Sequence, residues 1–214
     1  MILYELKEVV PMPLENQFRK DSQIWNTRVE IAQEHQYFVG AASGKGKTTM
    51  QHILYGLRTD YTGSVLFKGN NIREFSLSDW SKIRQNQVSV IFQDLRLFGH
   101  LTGRENLLLK NELTNFFGEG DIVKMCHFLE IDHLLDKPCG LLSYGQKQRF
   151  AIVRALCQPF EILLMDEPFA HLDQKNIQLA CELIMENCQK QKASYLIASL
   201  GETYQLAYSQ QLDL

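Results

Sequence analysis

Val39-Gly-Ala-Ala-Ser-Gly-Lys-Gly-Lys-Thr-Thr49 is the stretch on which the reading of this chain turns. The apolar run Gln36–Val39 leads into it as a strand. Met50, Ile53, Leu54 and Leu57 follow at the i, i+3, i+4, i+7 spacing of an amphipathic helix over Met50–Leu57. A strand that turns through glycines into a helix is the setting a phosphate-binding loop requires. Gly44 and Gly46 let backbone N–H groups turn inward around an anion at the helix N-terminus. Lys47 can then bridge β- and γ-phosphates, and the Thr48 hydroxyl can coordinate Mg²⁺. Ala42, Ser43, Lys45 and Thr49 complete the cradle. One departure stands out: the strict pattern G-x-x-x-x-G-K-[ST] puts its first glycine where this chain has Ala41, and Gly40 sits one residue early. The front of the loop is expected to differ, while its phosphate-binding half is intact.

A second stretch pairs with the first. Ile162-Leu-Leu-Met-Asp-Glu-Pro168 reads as a buried strand that delivers two adjacent carboxylates at its tip. Asp166 suits a Mg²⁺ shell, and Glu167 suits polarising a water for in-line attack on a terminal phosphate. Upstream, Leu142-Ser-Tyr-Gly-Gln-Lys-Gln-Arg149 contains Ser143-x-x-Gln146, a capping box ahead of a helix striped by Phe150, Val153 and Leu156. Such an end presents free N–H groups and partial positive charge, helped by Lys147 and Arg149. It needs no ligand to exist, and it is also chemically able to hold a second phosphate.

Further strands are expected at Arg28–Ile31, Ser64–Phe67, Gln87–Phe92, Glu161–Met165 and Ser194–Ala198, with a helical stripe at Ile177, Ala180, Cys181, Ile184 and Cys188. Alternating strands and helices predict an α/β layered fold with a mostly parallel core sheet. The first quarter reads as an attached antiparallel part. The stretch of about 94–140 has few strand-like runs and two expected helices, one opened by the capping box Thr102-Gly-Arg-Glu105 ahead of Asn106–Leu113.

Composition sets the outer limits. The chain has 214 residues, 22 Lys plus Arg against 25 Asp plus Glu, and a formal net charge of −3. That length fits one domain, and the near-neutral balance gives no support for a nucleic-acid partner. No apolar run approaches the roughly 18–20 residues of a membrane span, and the opening MILYELKEVV lacks the pattern of a secretory signal. A soluble, cytoplasmic chain is expected. Its five cysteines (126, 139, 157, 181 and 188) form no CxxC pair, so they read as small buried hydrophobes. Its six histidines show no ligand spacing for a protein-held metal.

Taken in order, these stretches resemble the ATP-binding subunit of the ATP-binding cassette (ABC) transporter family over nearly the whole chain. The resemblance implies an ABC cassette built on a P-loop NTPase core, residues 1–214 as one nucleotide-binding domain. Core and antiparallel β part would cover about 1–93 and 141–214, with a helical subdomain inserted at about 94–140. In Val-Ile-Phe-Gln-Asp-Leu, Gln93 matches the glutamine that links Mg²⁺ to the membrane partner. Leu142-Ser-Tyr-Gly-Gln146 matches the signature LSGGQ, with Tyr144 in place of its first glycine. Asp166 and Glu167 match the metal-holding aspartate and the catalytic glutamate, and Ala170-His-Leu-Asp173 the D-loop. By distance from Lys47 alone, Phe18 is the candidate to stack on adenine. Phe92-Gln-Asp-Leu-Arg-Leu-Phe98 with Glu105-Asn106 resembles the LolD/FtsE/MacB-like group.

The same resemblance implies a head-to-tail dimer with a second nucleotide-binding subunit. The signature residues Ser143, Gly145 and Gln146 would act on the partner's ATP, Asp173 of the D-loop would join the nucleotide-binding set, and integral-membrane subunits would be moved from the cytoplasmic face of the membrane. One family feature is missing. In Ser194-Tyr-Leu-Ile-Ala-Ser-Leu-Gly-Glu202, Leu200 falls where the family places a histidine against the terminal phosphate, and no histidine follows His171. Three readings follow: an ATPase subunit with slowed turnover, the degenerate half of a heterodimer, or an ATP-binding regulatory module. Long coiled-coil insertions of DNA-repair relatives are absent between residues 47 and 143, and a single cassette in this sequence argues against the two-cassette translation factors. A P-loop kinase would need neither the signature nor the D-loop.

Overall fold

The computed structural model describes residues 1–12, 22–42, 44–201 and 203–214. Phe18 and Ser43 therefore lie outside the described residues. The chain opens with β1 (Ile2–Pro11), β2 (Arg28–Ala32) and β3 (Gln36–Gly40), then α1 (Lys47–Leu54), β4 (Tyr61–Phe67) and β5 (Asn70–Asn71). After α2 (Leu77–Asn86) and β6 (Val88–Ile91) come α3 (Gly103–Asn111), α4 (Glu119–Phe128) and α5 (Tyr144–Leu156). It closes with β7 (Ile162–Asp166), α6 (Gln174–Gln191), β8 (Ser194–Ser199) and β9 (Gln210–Asp213).

Two sheets organise these elements. One is antiparallel, in the order β2-β1-β4-β5; the other, β6-β7-β8-β3-β9, is parallel at every pairing. Strands β7 and β8 are buried at every residue. This is why they read as continuous apolar runs, the mark of a sheet covered on both faces. One cluster of buried side chains around Leu163, Met165, Phe150 and Ile184 lies on one side of the parallel sheet. Another, around Leu164, Leu196, Met50 and Trp25, fills the space toward the antiparallel sheet. The five cysteines are free and buried.

Register decides where the chemistry falls. Ile91 pairs with Met165, Asp166 with Ala198, and Gly40 with Ser199, so the carboxyl ends of β6, β7, β8 and β3 reach one edge together. Ligands of open parallel sheets bind in the crevice outside those ends. Between β6 and α5 the described chain adds no strand to either sheet. Arg104 N–H bonds the Leu135 carbonyl at 2.8 Å and Gly140 N–H the Gly99 carbonyl at 2.7 Å, tying this stretch to itself. Glycine at 103 is obligatory here, because a Cβ would stand 2.5 Å from the Phe150 ring.

Several boundaries depart from the sequence expectation. The first helix begins at Lys47 and ends at Leu54, where Met50–Leu57 is the expected span. Helix α3 runs Gly103–Asn111 where Asn106–Leu113 is expected, because the Thr102–Glu105 capping box starts the helix at once. The strand expected at Gln87–Phe92 is Val88–Ile91. Strand β1 carries no clean alternation because its register slips between Lys7 and Val10 and Glu8 takes φ +52° there. A bulge of this kind resets which side chains face inward.

Candidate active site

The loop after β3 folds as its glycines demand. Gly44 and Gly46 have φ of +83° and +100°, and Gly46 is the N-cap of α1 without a side-chain cap. Space at residue 46 is tight as well: a Cβ would lie 3.2 Å from the Trp25 ring, which would have to give way by a few tenths of an ångström. The Trp25 indole N–H donates to the Lys45 carbonyl at 3.3 Å, so a buried aromatic props the loop from beneath. Ala41 keeps φ outside the left-handed region, and its N–H bonds the Ser199 carbonyl at 3.2 Å. The missing first glycine therefore imposes no torsional penalty on the loop.

Lys47 is buried and donates from Nζ to the Ala41 carbonyl at 2.8 Å and the Ala42 carbonyl at 3.4 Å, with Glu167 Oε1 also 3.4 Å away. Thr48 Oγ1 donates to Asp166 Oδ2 at 2.6 Å. Gln51, one helical turn on, donates from its amide to the Met165 carbonyl at 3.0 Å and is fully buried. These bonds lock α1 to the end of β7. Gly44, Gly46, Lys47, Thr48, Thr49, Gln93, Glu167, Ala170 and Leu200 line one cleft.

The two carboxylates differ in setting. Asp166 is the last residue of β7 and almost wholly buried, and that burial pushes its carboxyl above the usual range, against the pull of Thr48 and Lys47. Among the described residues its Oδ1 has no hydrogen-bond partner. A buried carboxylate oxygen without a donor, beside a Thr hydroxyl, fits Mg²⁺, which takes one or two carboxylates together with phosphate oxygens and water. Glu167 steps off the strand with φ +46°, its N–H held by the Ala198 carbonyl at 2.9 Å. Its Oε2 accepts from Ser199 Oγ at 3.2 Å, while Oε1 has no hydrogen bond among the described residues and faces Lys47.

The expected site residues thus fall into two sets. Gly44, Gly46, Lys47, Thr48, Thr49, Gln93, Asp166 and Glu167 come together, and Ala42 touches the set through its carbonyl, whereas the Lys45 carbonyl bonds Trp25. Ser143, Gly145, Gln146 and Asp173 do not line that cleft. Ser143 caps α5 through the anticipated box, Gln146 N–H to Ser143 Oγ at 3.3 Å and Ser143 N–H to Gln146 Oε1 at 2.9 Å. Gly145 sits against the His171 carbonyl, 2.9 Å from where a Cβ would be. Asp173 caps α6 at the Asn176 N–H, and that bond holds its carboxyl below the usual range. Arg149, expected to reinforce a phosphate site, instead donates to the Leu129 carbonyl at 2.7 Å.

Sequence reasoning passed over several contributors. Gln148 donates from its amide to the Glu167 carbonyl at 3.3 Å and accepts from the His171 N–H at 3.1 Å, joining α5 to the D-loop. Tyr144 O–H donates to the Gln93 carbonyl at 3.0 Å and its ring lies 4.1 Å from the His171 ring. Trp25, Gln51 and Ser199 likewise act through carbonyls or carboxylates of remote residues. No spacing rule flags contacts of that kind.

A parallel sheet with a glycine-turned phosphate loop and a paired Asp–Glu at the next-but-one strand end defines a nucleoside-triphosphate-binding cassette. The family model described as "ABC transporter" matches residues 25–170, and the chain belongs to the ABC transporter family. Among its relatives, the lipoprotein-releasing system ATP-binding protein LolD of Buchnera aphidicola is 32% identical over 76% of this chain and 72% of its own length. The thiamine import ATP-binding protein ThiQ of Escherichia coli is 32% identical over 79% and 72%. The fold matches the dimeric structure of MJ0796, a bacterial ABC transporter cassette, at a TM-score of 0.78 and 23% identity, over 92% of this chain and 88% of that one. It is the α/β cassette, with parallel and antiparallel sheets, that the sequence leads one to expect.

Proposed function

We propose that this chain binds MgATP in the cleft between the phosphate loop and the Asp166–Glu167 tip, and hydrolyses it slowly to drive separate membrane subunits. The observation that carries this reading is the convergence of Lys47, Thr48, Asp166 and Glu167 within direct contact, on strand ends fixed by register. Bound phosphates offer Lys47 charge-assisted partners in place of the Ala41 and Ala42 carbonyls. Thr48 and Asp166 would hold Mg²⁺, whose charge offsets that of the phosphates. Glu167 Oε1 accepts a proton from water as the water oxygen bonds the terminal phosphorus and the bond to the ADP oxygen breaks. Gln93 lines the same cleft and is positioned to report on its contents.

Ser143, Gly145, Gln146 and Asp173 stand apart from this cleft, as expected if a second cassette, packed head to tail, brings its copies of them to the nucleotide. Membrane subunits would dock on residues 94–140 taken as a helical lobe. A groove lined by Tyr55, Phe92, Phe98, Leu109, Lys110 and Leu113 runs between that stretch and the core. Among the described residues no helix is long and apolar enough to cross a membrane. As a member of a family whose relatives are ATP-binding subunits of transport systems, the chain would sit peripherally on the cytoplasmic face, held by its partners.

Leu200 lines the cleft and is 62% exposed, and a leucine neither bonds a phosphate nor orients water. It favours slow turnover, and secondarily a role as the non-hydrolysing half of a heterodimer or as a regulatory module. Steady-state phosphate release, alone and with co-purified membrane subunits, tests this. Leu200→His is expected to raise the rate by about tenfold to a hundredfold, the worth of one donor aimed at developing charge. No rise would contradict the assignment of position 200.

A further inference from the structure

Glu167 is held by more than its own strand. Ser199, at the end of β8 and 1% exposed, donates its only hydroxyl proton to Glu167 Oε2 at 3.2 Å. Ser199 Oγ also lies 3.1 Å from the Tyr204 hydroxyl. A serine hydroxyl has one proton and two lone pairs, so with that proton committed to the carboxylate the second bond must be donated by Tyr204. The Tyr204 ring is fixed edge-on against the buried Phe169, centroids 4.7 Å apart, and Phe169 is two residues beyond Glu167 itself. The chain Tyr204 O–H to Ser199 O–H to Glu167 Oε2 is thus closed at both ends on the same short segment. Hydrogen bonds in series polarise one another, so each strengthens the next.

We propose that Tyr204 and Ser199 are positioning residues that pin Oε2 of Glu167 and turn Oε1 toward the cleft as the atom that receives the proton from water. Among the described residues Oε1 is the oxygen without a hydrogen bond, and it faces Lys47 at 3.4 Å. The backbone is fixed as well, through the Glu167 N–H on the Ala198 carbonyl. A carboxylate anchored at its amide and at one oxygen keeps one free rotor fewer, and loss of such orientation is felt in turnover more than in nucleotide binding. The segment just past Leu200 thereby supplies a tyrosine acting through Ser199. This inference rests on the hydrolysis reading given above.

The test measures kcat for phosphate release and the ATP dissociation constant for wild type, Tyr204→Phe, Ser199→Ala, Ser199→Thr, the Tyr204→Phe/Ser199→Ala double variant and Glu167→Gln. Tyr204→Phe keeps the ring on Phe169 and removes only the hydroxyl. It is expected to lower kcat about three- to tenfold, the worth of one hydrogen bond, with ATP affinity within about twofold of wild type. Ser199→Thr, which retains a hydroxyl, should recover most of what Ser199→Ala loses. Because both residues act through one chain, the double variant should be no slower than Ser199→Ala alone. Unchanged kcat in Tyr204→Phe, a matching loss of ATP affinity, or additive losses in the double variant would each overturn the proposal. If Glu167→Gln alone is impaired, the hydrolysis reading stands and the hydroxyl chain falls. If Glu167→Gln hydrolyses like wild type, the hydrolysis reading itself fails.

Discussion

Asp166→Asn should make the nucleotide-free chain more stable and, in the same stroke, abolish Mg²⁺-dependent ATP binding. The sign follows from burial. Asp166 is 2% exposed and desolvation raises its carboxyl above the ordinary carboxylate range, so the folded state favours the protonated form. A group raised in this way contributes stability below its unfolded value and loses it as pH climbs through the folded one. At neutral pH the ionised carboxylate is therefore a net cost to the empty fold, and the neutral amide relieves it. Each 1 kcal/mol gained moves the midpoint of thermal unfolding by roughly 2–4 °C in a chain of this size. The gain should fade as the pH is lowered into the range where Asp166 is protonated. With MgATP the order reverses: the wild type gains about 2.7 kcal/mol at a ligand concentration of 100 times Kd, and the variant gains little. Thermal melts with and without MgATP, across pH, check both halves. A variant that is destabilised when empty, or stabilised by MgATP as much as wild type, would contradict the assignment of Asp166.

Lys47→Ala should lose on both counts. The buried ammonium bonds the Ala41 and Ala42 carbonyls and lies 3.4 Å from Glu167 Oε1. Removing it leaves the nearly buried Glu167 carboxylate without its cation, and truncating one partner of such a pair costs on the order of 1–3 kcal/mol where water can still reach the site. It also removes the lysine that lines the phosphate-binding cleft. Charge-assisted bonds to two phosphates are together worth about 3–4 kcal/mol, so ATP affinity should fall at least about a hundredfold. Equilibrium titration with ATP and a parallel melt separate the two losses. The pair Asp166→Asn and Lys47→Ala thus predicts opposite stability changes with a shared loss of binding.

Much of this was legible in the letters, for physical reasons. A buried parallel strand must be apolar throughout, so β3, β7 and β8 announced themselves, and the motif residues lay at their carboxyl ends. Capping boxes are local, which is why Thr102–Glu105 and Ser143–Gln146 were readable in advance. By the same rule Ser76 and Asp79 mark the start of α2, a helix that the apolar periodicity alone misses. Strand β9 has one buried residue in four and offers no alternation to read. What no pattern revealed were ties across long separations: Gln51 to Met165, Gln148 to Glu167 and His171, and Tyr144 to the Gln93 carbonyl. The Gly-to-Ala change at 41 looked consequential as a motif departure, yet the torsion there is ordinary for any residue. Conversely Tyr144, read as a simple replacement of a signature glycine, joins the Gln93 segment to His171.

Glu167, held at the tip of β7 beside Lys47, is the group proposed to take the proton from water during ATP hydrolysis. Side-by-side phosphate release by the wild type and Glu167→Gln, each with its membrane subunits and MgATP, tests that role most directly. The variant is expected to be slower by about a hundredfold or more, with ATP still bound. Equal rates from the two proteins would contradict it.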